Sequence, residues 1–460
     1  MSTISRTIFR QYDVRGIVGQ DLTEHVAYSL GRGYARYLHR HGIHGAVAVG
    51  RDNRPSGTML RDAMVRGITE CGFDVTDVGI VPTPLLYWAL HHEKVVGGIQ
   101  ITGSHNPPEY NGFKMSVGTA SLHGDEIQEL YADVTGTEFP KGSGQIRDVH
   151  IIDRYVSDIA KRIGPLRLYD GKPLRVVYDC GNGAGALVAP QLMKALGVDA
   201  IGLFTESDGT FPNHHPDPTV PENLTDCIAA VEKSGATMGI AFDGDADRIG
   251  LVDEKGRIIW GDHILILYAR DVLARTGRDQ PIIFDVKCSQ ALPDAITAAG
   301  GRPVMWKTGH SLIKNKMKEA HAPVAGEMSG HMFFTEGFYG HDDALYAAAR
   351  LLRIVADAGQ SVAQLLADVP KYVSTPELRI DVDEESKFVI VDRAVDYFRS
   401  RYDVIDVDGV RVLFGDGWGL MRASNTQPVI VARYEARTSE RLQEIRNEME
   451  EWLRAQGVRV

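Results

Sequence analysis

Val95-Val-Gly-Gly-Ile-Gln-Ile101-Thr102-Gly-Ser104-His-Asn-Pro107 sets a short apolar run directly before a polar turn, and the chain repeats that arrangement twice. Met238-Gly-Ile-Ala-Phe runs into Asp243-Gly-Asp245-Ala-Asp247-Arg248, and Ala322-Pro-Val-Ala runs into Gly326-Glu-Met-Ser-Gly-His331. Upstream of each lies another apolar run and a turn that opens a helical pattern. These are Ala46-Val-Ala-Val before Gly50-Arg-Asp-Asn-Arg-Pro-Ser56, Leu174-Arg-Val-Val-Tyr before Asp179-Cys-Gly-Asn-Gly-Ala-Gly185, and Pro281-Ile-Ile-Phe before Asp285-Val-Lys-Cys-Ser289. Short β-rich runs alternating with helical patterns are α/β units. The same order of parts three times predicts three related α/β domains. Each delivers one polar loop from a strand end, where open α/β sheets place their ligands.

The C-terminal segment reads differently. Phe388, Val391, Val395 and Phe398 fall on one helical face, as do Leu442, Ile445, Met449 and Leu453. Between them Val410–Phe414, a turn at Gly415–Gly419 and Val429–Tyr434 predict antiparallel strands. This is a smaller α+β domain with its own polar loop, Arg422-Ala-Ser-Asn-Thr-Gln-Pro428. The expected domains are 1–150, 151–256, 257–370 and 371–460.

The 460 residues, 43% hydrophobic and 24% charged, are ordinary for a soluble globular protein of several domains. A formal net charge of -11 argues against nucleic acid or an anionic membrane as the main partner. Cys71, Cys180, Cys227 and Cys288 are scattered without a CxxC pair, which argues against a zinc site or disulfide framework. The N-terminus lacks the apolar core of a signal peptide, and no apolar run approaches ~18 residues. A cytoplasmic enzyme is expected.

Ser104, flanked by Gly103 and by His105-Asn106-Pro107, offers a hydroxyl nucleophile on a turn. A plain surface turn favours the same residues. His105 is one candidate base, and Lys114, in a turn Tyr110–Lys114 folding back on Ser104, is another. Asp243, Asp245 and Asp247 are three like charges that repel unless a cation neutralises them. Glu254 stands where an EF-hand has its last ligand, but Arg248 takes the place of the required glycine and the flanks read as strands. A Mg²⁺ site with Arg248 holding a phosphate fits better. Glu327, Ser329 and His331 alternate, so an extended segment would point all three one way, suited to sugar hydroxyls. Arg422, Ser424, Asn425 and Thr426 form a donor set with no acid among them, which is anion-binding chemistry. Arg15, in Tyr12-Asp-Val-Arg-Gly16, and Lys287 are weaker candidates. Gly181-Asn-Gly183-Ala-Gly-Ala186 matches a dinucleotide fingerprint, with Asp199 about 20 residues on. Asp199, however, opens the second strand, whereas the ribose acid should close it.

Taken together and in this order, the motifs resemble the α-D-phosphohexomutase family over essentially the whole chain. Phe9–Gly16 is similar to its opening stretch, Thr102–Pro107 to its phosphoserine loop and Asp243–Arg248 to its metal loop. Gly326–His331 is similar to its sugar loop and Arg422–Thr426 to its phosphate loop. The resemblance implies three topologically related α/β domains plus a smaller C-terminal α+β domain around a central cleft. It implies that Ser104 carries a phosphoryl group, that Mg²⁺ bridges it to Asp243, Asp245 and Asp247, and that hexose 1- and 6-phosphates interconvert through a hexose 1,6-bisphosphate, with glucose 1,6-bisphosphate as activator. Lys114 and His331 are then candidates for moving protons, with Arg15 steadying charge near Ser104. Tyr12, Arg248, Lys287, His310, Glu327, Ser329, His331 and the Arg422 set would bind substrate. Met328, where Gln would point to glucosamine phosphate, suggests action on mannose and glucose phosphates. The sequence does not give the oligomeric state; a monomer is the favoured expectation. Two other readings remain at this point: a non-catalytic sugar-phosphate sensor, and a nucleotide-dependent oxidoreductase using the 181–186 turn.

Overall fold

A computed structural model describes residues 4–424 and 428–460. The chain divides into two compact units, one of the residues up to Tyr268 with Ser329–Leu366, the other of Ala269–Met328 with Ala367–Val460.

In the first unit, strand Ala46–Arg51 lies between Val75–Ile80 and Val95–Ile101, all parallel. Tyr110–Val117 then pairs antiparallel with Val95–Ile101, and Val14–Ile17 pairs with Tyr110–Val117 on its other side. A second sheet in this unit has the same plan. Arg175–Asp179 lies between Asp199–Leu203 and Met238–Phe242, all parallel, and Ile249–Asp253 returns antiparallel. In the second unit Pro281–Asp285 again lies between two parallel neighbours, Arg302–Trp306 and Val324–Gly326. The expected repeat is therefore a repeat of topology. Met238–Phe242 and Pro281–Asp285 are buried along their whole length, which is why they read as continuous apolar runs rather than alternating ones. Asp199 does open its strand.

Helix Glu24–Arg40 is typical of the covering layer: Thr23 caps it by accepting from the Val26 N–H, and Val26, Ala27, Leu30, Tyr34 and Leu38 bury one stripe. None of the four buried cysteines is in a disulfide. Among the described residues no helix is long and apolar enough to cross a membrane.

The C-terminal residues of the second unit form an antiparallel sheet with helices Lys387–Arg399 and Ser439–Ala455 packed against it. Two expectations need correction. Phe388 is 48% exposed, and the buried face of its helix is Val391, Ala394 and Phe398. The apolar spacing of Phe388 is one residue off that face. Between the two predicted strands lies a third, Gly417–Ala423, paired along its full length with Val429–Ala436. Its glycines hide the hydrophobic pattern, so Arg422 belongs to a strand end and not to a free loop.

Candidate active site

Ser104 sits at the turn between two antiparallel strands, with φ at +49°. That left-handed conformation is costly for a residue with a Cβ, and such strain concentrates at functional positions. Ser104 Oγ donates to Asp243 Oδ2 at 3.0 Å and lies 3.1 Å from His105 Nδ1. His105 is half-buried, and burial first, then the Arg248 and Arg15 charges, holds its imidazole well below the usual value. Arg15 pairs with Asp13 at 2.6 Å and donates to the Asn106 side chain, which ties it to the Ser104 turn.

Asp243, Asp245 and Asp247 are fully buried, and one carboxylate oxygen from each lies within 4.8 Å of the others. Asp243 Oδ1 accepts the backbone N–H groups of Asp247 and Arg248, at 3.0 and 3.1 Å, which curls the loop into this cluster. Burial, then the charges of Asp247 and Asp245, pushes the Asp243 carboxyl well up. Asp247 feels the same burial, but Lys114 and His331 outweigh it and hold its carboxyl well below the usual range. Asp245 Oδ1 is buried without a hydrogen bond. An all-oxygen set of three carboxylates with an orphaned acceptor fits a hard divalent cation such as Mg²⁺.

Lys114 does not stand on a turn. It lies within strand Tyr110–Val117 opposite Gln100, and its Nζ donates to Asp245 Oδ2 at 2.8 Å and to Asp247 Oδ2. Burial opposes its charge, yet the two carboxylates outweigh burial and raise its pKa well above normal. His331 Nε2 lies 3.3 Å from Asp247 Oδ1 and accepts from Arg248 Nε at 3.3 Å. Ser329 Oγ is 3.3 Å from His331 Nδ1. The segment that holds them is not extended: it turns at Met328–Ser329, and Gly330 has φ +95°, so simple alternation does not describe how these side chains are presented. Tyr12 is half-buried just before strand Val14–Ile17.

The second unit gathers its own polar group. Glu327 Oε1 accepts the Gly309 N–H at 2.6 Å, and buried His310 opens helix His310–Ala320. Lys287 Nζ is 3.2 Å from Glu377 Oε2 and 3.7 Å from Asp285 Oδ2. Lys287 holds the Glu377 carboxyl down at about 2, against its burial. Arg422 Nε donates to Asp408 Oδ2 at 2.9 Å. The cationic set is therefore not free of acids in space: Glu377 reaches Lys287 from 90 residues away and Asp408 reaches Arg422 from 14 residues away. Buried Arg411 donates to Val286 O at 2.8 Å and Cys288 O at 2.7 Å, and Arg433 donates to Lys287 O, so two unpredicted arginines clamp the Lys287 segment. Burial lowers Arg411 to about 10. Ser424 is buried and its N–H bonds to Val429 O at 3.0 Å. Asn425 and Thr426 lie outside the described residues.

The glycine fingerprint has a packing explanation. A Cβ on Gly183 would lie 2.7 Å from Gly244 O, and the Ala184 N–H bonds to that same oxygen at 2.9 Å. Gly183 lies against the backbone of the aspartate loop, and Gly181 is held at φ +49°. Gly183→Ala is expected to cost about 1–3 kcal/mol by overpacking and to impair metal binding. A wild-type melting curve with unchanged Mg²⁺ titration would refute this.

Family models for phosphoglucomutase/phosphomannomutase match four successive stretches. Alpha/beta/alpha domains I, II and III match residues 6–141, 153–256 and 260–372, and the C-terminal domain matches 377–451. The chain is 47% identical over 455 residues to a phosphomannomutase/phosphoglucomutase of Pseudomonas aeruginosa, covering 98% of this chain and 96% of that one. It is 46% identical over 452 residues to a phosphoglucomutase of Neisseria gonorrhoeae, covering 97% of this chain and 96% of that one. A crystal structure of a phosphoglucomutase/phosphomannomutase family protein from Burkholderia thailandensis superposes with a TM-score of 0.90 at 43% identity, covering 98% of each chain.

Proposed function

Since the chain belongs to the phosphoglucomutase/phosphomannomutase family of α-D-phosphohexomutases, we infer that Ser104 is the group through which its phosphoryl transfer passes. The chain is an enzyme that interconverts hexose phosphates. The observation that carries the Ser104 assignment is its hydroxyl, bonded at 3.0 Å to a carboxylate of the buried aspartate cluster.

In the proposed reaction, phospho-Ser104 gives its phosphoryl group to the free hydroxyl of a hexose monophosphate. The Ser104 Oγ–P bond breaks, a sugar O–P bond forms, and the sugar hydroxyl proton leaves to a base. The product is a hexose 1,6-bisphosphate. In the second half its other phosphoryl group returns to Ser104, and the sugar oxygen regains a proton. Asp243, Asp245 and Asp247 would hold one Mg²⁺, which supplies charge stabilisation for the phosphoryl group in flight. His105, in hydrogen-bond reach of Ser104 Oγ, is assigned to the serine proton, with Lys114 and His331 as the further proton carriers and Arg15 and Arg248 as anion partners. Tyr12, Lys287, His310, Glu327, Ser329, Arg422, Ser424, Asn425 and Thr426 are assigned to substrate. The four domains are placed at 1–150, 151–256, 257–370 and 371–460. That both mannose and glucose phosphates are substrates is supported by Met328 and by the double name of the Pseudomonas relative. The test is phosphorus NMR of mannose 1-phosphate and glucose 1-phosphate, each with enzyme, Mg²⁺ and a trace of glucose 1,6-bisphosphate. Both should become 6-phosphates. Conversion of one alone would sink the dual specificity and leave the mutase reading standing.

A further inference from the structure

Arg54 is buried beneath the Ser104 turn, in the stretch Asp52–Ser56 that follows the central strand Ala46–Arg51. Its guanidinium uses all five of its N–H groups. Nη1 donates to Pro107 O at 2.6 Å and Tyr110 O at 3.0 Å, Nη2 to Ser104 O at 2.7 Å and Asn106 O at 2.6 Å, and Nε to Asp52 Oδ2 at 3.2 Å. The last partner is equally buried. Four carbonyls of one short loop thus converge on a single planar cation, including the carbonyl of the strained Ser104 itself. Only a guanidinium has that many donors in a fixed plane; a lysine has three on one atom.

Asp52 extends the contact. Its Oδ2 accepts from Thr102 Oγ1 at 2.8 Å and from the Gly103 N–H at 3.0 Å, while Thr102 Oγ1 accepts the Ser104 N–H at 2.9 Å and lies 3.1 Å from Asp245 Oδ2. Gly103 is required beside the cation, since a Cβ there would lie 2.4 Å from the guanidinium carbon. The Phe211 ring covers the guanidinium at 5.1 Å. The backbone on both sides of Ser104 is therefore held by one ion pair, which also reaches the aspartate cluster.

We propose that Arg54, aimed by Asp52, is a positioning residue that fixes Ser104 in its left-handed conformation against the aspartate cluster, so that phosphoryl transfer to and from its Oγ is in line. This rests on the phosphoserine reading. Arg54 touches no reacting atom. Its loss should therefore slow transfer without weakening the capture of sugar phosphate by other residues.

The experiment treats dephosphorylated full-length enzyme with glucose 1,6-bisphosphate and Mg²⁺, and follows the Ser104 phosphate by quenched-flow intact-mass measurement. Wild type, Arg54→Lys, Arg54→Ala and Asp52→Asn are compared, with calorimetric binding of glucose 1-phosphate and melting curves for each. A misplacement of about 1 Å corresponds to roughly a 10²-fold loss, so Arg54→Lys is expected to slow transfer by about that factor with glucose 1-phosphate affinity unchanged. Methylguanidinium should restore part of the rate to Arg54→Ala. If the Arg54 variants do not fold, Asp52→Asn, which keeps the side-chain shape, should show the same split between slowed transfer and unchanged glucose 1-phosphate affinity. Transfer at the wild-type rate in a folded variant overturns the proposal. So does a parallel loss of transfer, binding and melting temperature with no rescue, since that is a purely structural residue. A wild type that acquires no phosphate on Ser104 overturns the phosphoserine reading and takes this proposal with it.

Discussion

Ser104→Ala is expected to lower hexose phosphate interconversion by about 10⁴-fold or more, because the step has no second acceptor for the phosphoryl group. The hydroxyl is already bonded to Asp243 Oδ2, whereas the Thr83 and Thr102 hydroxyls at the cluster bond Asp245 Oδ2 instead, and Thr102 Oγ1 is also engaged by Asp52 and the Ser104 N–H. The positive φ of Ser104 supplies an internal control. Alanine keeps the left-handed strain, which costs about 1–2 kcal/mol for a residue with a Cβ, whereas glycine relieves it. Ser104→Gly should therefore be as inactive as Ser104→Ala and melt at the same or a higher temperature. Steady-state rates and melting curves on both variants decide the matter. Substantial turnover in either one would remove Ser104 from the reaction.

Removing the divalent cation should have the next largest effect, on the order of 10³-fold, since several kcal/mol of charge stabilisation disappear with it. The arrangement of the cluster explains why little can take its place. Lys114 brings one positive charge to two of the three carboxylates, and the orphaned Asp245 Oδ1 has no protein donor. Asp243→Asn tests the site without chelator. The amide can still accept the backbone N–H groups that shape the loop, at present bonded to Asp243 Oδ1, but one charge is lost. Weaker Mg²⁺ binding by calorimetry and a comparable fall in rate are expected. Full activity after exhaustive chelation would eliminate the metal from the mechanism.

What the linear chain determined is the part of the problem written in local chemistry. A run of apolar residues closing on a polar turn is legible because both halves lie within a dozen residues, and the recurrence of that pattern predicts the recurring topology. Ser104 and the aspartate triplet are legible for the same reason, as each is a compact group too polar to be packing. The strand Gly417–Ala423 was not, because its glycines break the alternation that strands are recognised by. The stretch Tyr110–Lys114 reads as a turn, yet pairing with Val95–Ile101 and Val14–Ile17 draws it into the sheet.

Tertiary structure alone decided which charges meet. Lys114 is drawn to Asp245 and Asp247 across more than 130 residues, Arg422 to Asp408, and Lys287 to Glu377. Arg54 is the extreme case. In the sequence it is one more polar residue in a turn, and its five donors acquire meaning only once a loop some 50 residues away lays four carbonyls around them. Burial makes such partners obligatory, because a buried charge must be satisfied by whatever the fold brings within hydrogen-bond reach, and that reach has no counterpart in sequence distance.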